Sequence, residues 1–385
     1  MPCLSVGRVC GLRGGRRARA LALAALSILA CAGQTLPADA RPARSYLRDR
    51  AEQSATTPAR QPDGPLQIII SIGSQRLWVY DKRGLVETSV VSTGVGGYPT
   101  PTGVFAVLDK EQTHYSNIYG GASMPYMQRL TMSGVALHSG MVTGRPASHG
   151  CIRLPHAFSI KLFRMTQLGA RVIIAPDAPA PEEIVHARLF VRKAPPAAEE
   201  LDTNRAKGIV VASATAMTEA IGNARVGKIT AWRAGVLQSL PISVLVSKAD
   251  GMVRVRHGFR QILEAPATIR DQARLLGTHV YTAADLVEGA DAMRWLAVSV
   301  SESGQSPASP RKVSRASRSE AEPLLPADSG PPSTAAEALD RIELPQEIID
   351  RISEMLTPGA SLIISDHGHN REMRNVGTDF IVLTR

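Results

Sequence analysis

The chain has 385 residues, 44% apolar and 4% aromatic, with a formal charge of +10. That is enough length and apolar content for two domains or one large one with a real core. Its lysines and arginines form no stripe alternating with aromatics, so no nucleic-acid partner is expected.

Residues 1–40 have the layout of a signal peptide. Arg8, Arg13, Arg16, Arg17 and Arg19 make a basic start, followed by the apolar run "ALALAALSILACA" and by small residues at Ala30–Ala32 and Ala38–Ala40. The run is too short to span a membrane comfortably. Lipidation of Cys31 is the weaker alternative, because Leu29–Ala30 matches a lipoprotein box only in part. Cleavage at either small-residue site would remove Cys3, Cys10 and Cys31 and leave Cys151. A lone cysteine excludes an intrachain disulfide and a thiolate metal cluster. It is either buried and inert or a reactive thiol. No metal or cofactor is expected.

Residues 41–65 read as a flexible lead-in. From there "LQIIISI", "RLWVYD" and "LVETSVVST" are expected strands, with "DKRG" a turn between the last two. "GGYPTPTGVFAVLDK" is a Gly/Pro loop feeding another strand. "GVALHS" reads as a strand ending at a histidine, "HAFSIKLFRMTQLG" as a helix, and "ARVIIAP" as a closing strand. Residues 66–175 therefore form one compact, mainly β domain. Residues 176–204 read as a linker, 205–300 as an α+β extension with a hairpin at "VSKADGMVRVR", and 301–334 as a disordered linker. Residues 335–385 hold a helix and two strands, too little to fold alone, and are expected to pack on the extension.

The chemistry concentrates in "LHSGMVTGRPASHGCIRL", from Leu137 to Leu154. A thiol that attacks a carbonyl needs a base within hydrogen-bond reach and donors for the developing oxyanion. His149 lies two residues before Cys151. His138 lies 13 residues before it, at a strand end, and a Gly/Pro loop can fold back to bring its ring to the sulfur. The Ser139 carbonyl could orient that ring, and the N–H groups of Gly150 and Cys151 could meet the oxyanion. On spacing alone, a packed and inert Cys151 between two polar loop histidines is an equal reading.

"SHGCIRL" with an upstream histidine at a strand end resembles the active-site signature of the L,D-transpeptidase (YkuD-type) family. "TPTG" at 100–103 and "LWVY" at 77–80 resemble two further parts of that domain. The resemblance covers about 66–175 and implies a β-sandwich catalytic domain with a short helix. It implies Cys151 as nucleophile, His138 as base held by Ser139, His149 and Ser148 shaping the cysteine loop, Gly150 and Cys151 amides for the oxyanion, and Arg153 bracing the loop or meeting a substrate carboxylate. Tyr115 and Tyr126 are further candidates for substrate contact. The implied substrate is a peptidoglycan tetrapeptide stem and the implied product a 3→3 cross-link. Hydrolysis or ligation to a protein is the alternative on the same site, and a non-catalytic wall-binding protein is the rival class. The implied location is the periplasm. Segments "LLGTHVYTA" and "SLIISDHG…GTDFIVLTR" resemble extensions of some proteobacterial members, for which a cell-wall or envelope protein partner is the expectation. Two departures stand out: only nine residues separate His138 from Ser148, and Ser139 stands where glycine is common.

Overall fold

The structure is a computed structural model and describes residues 60–193, 231–287, 292–301, 331–368, 370–374 and 377–384. The expected signal peptide, most of the lead-in, residues 205–230 of the expected extension and most of 301–334 lie outside the described residues.

In chain order the first domain contains β1 (Gln67–Ser71), β2 (Arg76–Asp81), β3 (Gly84–Val90), β4 (Thr102–Ala106), β5 (Asp109–Glu111), β6 (Met127–Arg129), β7 (Ala136–Ser139), β8 (Ile152–Leu154), α1 (His156–Met165) and β9 (Arg171–Ala175). β1 and β9 are apolar without alternation because both of their faces are covered. They pair in parallel, with Ile69 opposite Ile173. β2 alternates, burying Leu77 and Val79 while Trp78 and Tyr80 stay half-buried. β5, β6, β7 and β8 form a second, four-stranded sheet. Leu137, Ile152 and Leu154 of that sheet, Phe158 and Leu162 of α1, and Ile68–Ile70 and Val172–Ile174 of the first sheet share one core. The domain is mainly β, a sandwich of two sheets with one short helix, as expected.

The remainder contains β10 (Glu182–Ile184), α2 (Ala231–Gln238), β11 (Ser243–Ser247), β12 (Met252–His257), β13 (Arg260–Pro266), β14 (Thr268–Ile269), β15 (Thr278–Leu286), β16 (Met293–Val300), α3 (Ala335–Asp340), β17 (Ile342–Glu343), α4 (Gln346–Glu354), β18 (Ser361–Ser365), a 3₁₀ turn (Arg371–Arg374) and β19 (Val382–Thr384). A seven-stranded sheet runs β10-β16-β15-β18-β11-β12-β13. Its inner strands β11, β15 and β18 are buried on both faces, and the period of two sorts their side chains. Val244, Val246, Leu362, Ile364 and Tyr281 face a core with Leu339 of α3 and Ile348 and Ile352 of α4. Leu245, Ile363, Val280 and Val298 face the core of the first domain. The extension is thus α+β, with one sheet face on its own helices and the other on the sandwich.

Two expectations are corrected here. The segment read as a linker, 176–204, contributes edge strand β10, paired with β16, and buries Leu189 and Phe190. The chain end does not pack wholly on the extension. β18 pairs there with β11 and β15, but β19 crosses over and pairs antiparallel with β4, so the six-stranded sheet reads β19-β4-β9-β1-β2-β3. Gly103 makes this approach feasible. Its φ is +142°, and a Cβ there would fall 2.0 Å from the Val382 carbonyl oxygen. Met373, Phe380, Ile381 and Val382 lie in the sandwich core. Beneath them Arg171 of β9 donates to Asp379 at 2.9 Å and to the hydroxyls of Ser243 and Ser361. The buried Arg256 donates to the carbonyls of Thr378, Asp379 and Met373.

Candidate active site

β7 and β8 pair in parallel, with Leu137 opposite Ile152 and His138 opposite Arg153. Side chains alternate along each strand, so Leu137, Ile152 and Leu154 point into the core. Ala136 and His138 point the other way, with Arg153 and, two residues before it, Cys151. The loop 140–151 therefore closes so that a histidine and a cysteine 13 residues apart share one face. Ala136 keeps that face shallow, and Cys151 packs there against Met124, Met127 and Ala136.

His138 is buried, and its Nδ1 lies 2.8 Å from the Ser139 carbonyl oxygen. A carbonyl only accepts, so Nδ1 carries the hydrogen and Nε2 is left with a lone pair. Burial holds the imidazole pKa below its ordinary value, and the positive field of Arg153 adds to that, against the pull of the Ser139 carbonyl. Burial pushes the Cys151 thiol up, while a hydrogen bond from the Ala136 N–H and the charges of Arg153 and Arg129 act against it. The thiol donates to the Gly134 carbonyl at 3.5 Å. Both shifts favour the neutral thiol and the neutral imidazole over a standing ion pair, which suits general-base catalysis.

The cysteine loop is held by its neighbours. Buried Ser148 donates its hydroxyl to the Cys151 carbonyl and accepts from the Gly150 N–H at 3.2 Å. Gly150 sits at φ +111°, left-handed backbone that favours glycine. Its carbonyl accepts from Thr100 Oγ1 at 2.8 Å, and the same hydroxyl accepts from the Gly94 N–H at 2.8 Å. The threonine of "TPTG" thus ties two loops together beneath the thiol.

The family model described as the L,D-transpeptidase catalytic domain (YkuD) matches residues 65–174. This segment is an L,D-transpeptidase catalytic domain. A Bacillus licheniformis protein whose name assigns it to the L,D-transpeptidases (YkuD) is 28% identical over 131 residues, covering 33% of this chain and 76% of the relative. An L,D-transpeptidase structure from Stackebrandtia nassauensis is 29% identical, covering 33% of this chain and 62% of that one, with a TM-score of 0.28. L,D-transpeptidase 1 of Mycobacterium tuberculosis is 27% identical, covering 29% and 62%, with a TM-score of 0.26. The chain spans less than two thirds of these two solved chains.

In the L,D-transpeptidase domain the other expected site residues divide. The stem of Arg153 lies against Gly140, where a Cβ would come within 3.1 Å of it, and its charge acts on both His138 and Cys151. His149 is exposed, its ring 4.7 Å from that of Tyr98 and 5.2 Å from that of Tyr119, so it sits in an aromatic wall. Tyr115 is 61% exposed on the preceding loop. Two assignments change. The Gly150 N–H is engaged by Ser148 Oγ, because the turn closes on its own serine, and is not free for an oxyanion. Tyr126, at φ +55°, turns its ring edge to His156 and Phe163, both at 5.7 Å, and packs on α1 rather than lining the thiol's face. Sequence reasoning missed Tyr98, within a Gly/Pro loop, and Gly134, which carries no side chain to signal its role.

Proposed function

We propose that this chain is an L,D-transpeptidase that joins peptidoglycan tetrapeptide stems through a Cys151 thioester and forms 3→3 cross-links. The observation that carries this reading is His138: its Nδ1–H is committed to the Ser139 carbonyl, and its Nε2 is the free base on the face it shares with Cys151. As sulfur attacks the carbonyl of the third stem residue, Nε2 takes the thiol proton. The oxyanion meets the Cys151 N–H, the amide left once Ser148 has engaged that of Gly150. Collapse of the tetrahedral intermediate expels D-alanine, whose amine takes the proton from His138. An acceptor stem's amine then attacks the thioester, gives its proton to His138, and the sulfur leaves and regains it as a thiol. Arg153 offers the donor stem's carboxylate a positive charge next to the thiol. The proposal includes export through residues 1–40, since the substrate lies outside the cytoplasmic membrane.

Purified protein incubated with disaccharide-tetrapeptide and followed by intact mass tests the reading. A thioester adduct and 3→3 dimers in the wild type, both lost in Cys151→Ala, are expected. Unchanged turnover in that variant would refute the mechanism. Tripeptides or protein-linked stems in place of dimers would assign water or a protein as the acceptor.

A further inference from the structure

The C-terminal segment reaches the thiol by a route outside the β4–β19 pairing. The hairpin between β6 and β7 closes through Thr131–Gly134, with the Gly134 N–H on the Thr131 carbonyl at 3.3 Å and the Val135 N–H on Thr131 Oγ1 at 3.0 Å. This turn leaves the successive N–H groups of Met132 and Ser133 pointing outward. One carboxylate oxygen, Oε2 of Glu372, accepts from both, at 2.8 and 3.2 Å. The next residue, Gly134, accepts at its carbonyl from Cys151 Sγ. Glu372 is itself held. Its N–H donates to Asn370 Oδ1, Asn370 Nδ2 donates to the Ile381 carbonyl, and Met373 beside it is buried in the sandwich core. A chain of contacts therefore runs from Ile381, next to β19, to the sulfur.

We infer that Glu372 is a positioning residue for Cys151: by bonding the 132–133 amides it holds the hairpin turn so that the Gly134 carbonyl fixes the thiol on the face of His138. This assigns the extension a part in the reaction of its own chain. The inference rests on Cys151 being the nucleophile. Position 134 suits glycine, because its φ is +106° and Ile118 Cδ1 lies 2.9 Å from where a Cβ would stand. A charge-assisted bond to two backbone donors is the stronger kind, and it is geometrically specific. With the carboxylate gone, the turn loosens and the carbonyl dipole leaves the sulfur. The thiolate is then less disfavoured, while the sulfur is no longer aimed for attack.

The test uses the full chain and two readouts of opposite sign. In Glu372→Ala, the pH midpoint for alkylation of Cys151 by iodoacetamide moves down. Acylation by disaccharide-tetrapeptide slows about tenfold, the loss of roughly one charge-assisted hydrogen bond, with KM little changed. Glu372→Gln keeps an oxygen able to accept both bonds and stays within about threefold of the wild type. Simple destabilisation would lower Tm without moving the alkylation midpoint. A wild-type alkylation profile in Glu372→Ala, or equal impairment in Glu372→Gln, would overturn the inference. If the wild type turned over no stem peptide at all, the proposed function would fall while the alkylation readout still decided this one.

Discussion

Asp379→Ala should be among the most damaging substitutions away from the thiol. Asp379 is the carboxylate at a junction that also buries two guanidiniums, those of Arg171 and Arg256, with side-chain exposures of 3% for Asp379 and 4% for Arg171. Its Oδ2 accepts from Arg171 at 2.9 Å and from Ser243 at 3.0 Å, and its Oδ1 from the Phe380 N–H at 2.7 Å. Arg171 Nη1 and Arg256 Nε have no hydrogen-bond partner among the described residues, and Asp379 is the carboxylate that Arg171 bonds. Removing the partner of a buried charge costs about 3–5 kcal/mol. For a chain of this size that is a fall of about 4–10 °C in Tm, read by calorimetry or circular dichroism. Arg351→Ala, which breaks the exposed pair with Glu354 on α4, is the control and should cost less than about 1 kcal/mol. Arg171→Met combined with Asp379→Leu removes both charges and should regain much of the loss. A Tm for Asp379→Ala within about 2 °C of the wild type would refute the reasoning, since a 3–5 kcal/mol loss cannot hide there.

His138→Ala should cut acylation by about 10²–10⁴, the usual worth of a general base, and His149→Ala far less; equal losses would upset the assignment of the base. Thr100→Val keeps the shape but leaves the Gly94 N–H and the Gly150 carbonyl without their hydroxyl, and should lower Tm by several degrees and slow acylation. Because burial keeps His138 neutral to lower pH and Cys151 a thiol to higher pH, thiolate ultraviolet absorbance should be absent at pH 7, and activity should persist below the ordinary histidine pKa of about 6.5. A thiolate band at neutral pH would contradict the neutral pair. The folded pKa values of His138 and of buried His279 are both lowered, so below about pH 6.5 the unfolded chain binds protons that the folded one does not, and Tm should fall as the solution is acidified from there.

The sandwich was legible where local pattern decides structure. "LQIIISI", "RLWVYD", "GVALHS" and "ARVIIAP" became β1, β2, β7 and β9, because period and turn residues are local properties. The pairing of His138 with the Ser139 carbonyl was legible too, since the acceptor is the next peptide unit. What failed was destination. "DFIVLTR" was read as a strand, but Phe380, Ile381 and Val382 are all buried, and an apolar run without alternation does not say which sheet takes it. Arg171 looks like a strand-edge cation until its carboxylate appears 208 positions later. The Gly150 N–H was expected to be free because nothing in "SHGC" tells that the serine hydroxyl turns back on it. Glu372 gave no signal, since its partners are backbone amides 240 and 239 positions away.

The crossing of β19 also sets a clock on synthesis. Thr102 of β4 and Thr384 are 282 positions apart, and until residues 382–384 are made β4 is an edge with open N–H and C=O groups. At about 5–20 residues per second, that edge waits roughly 15–55 s for its partner. Contacts of such long separation close late and slow the search for the native state. The six-stranded sheet against which the catalytic sheet packs is therefore complete only once β19 has emerged, and a nascent chain stopped before β19 would carry every residue named around the thiol beside an unfinished sheet.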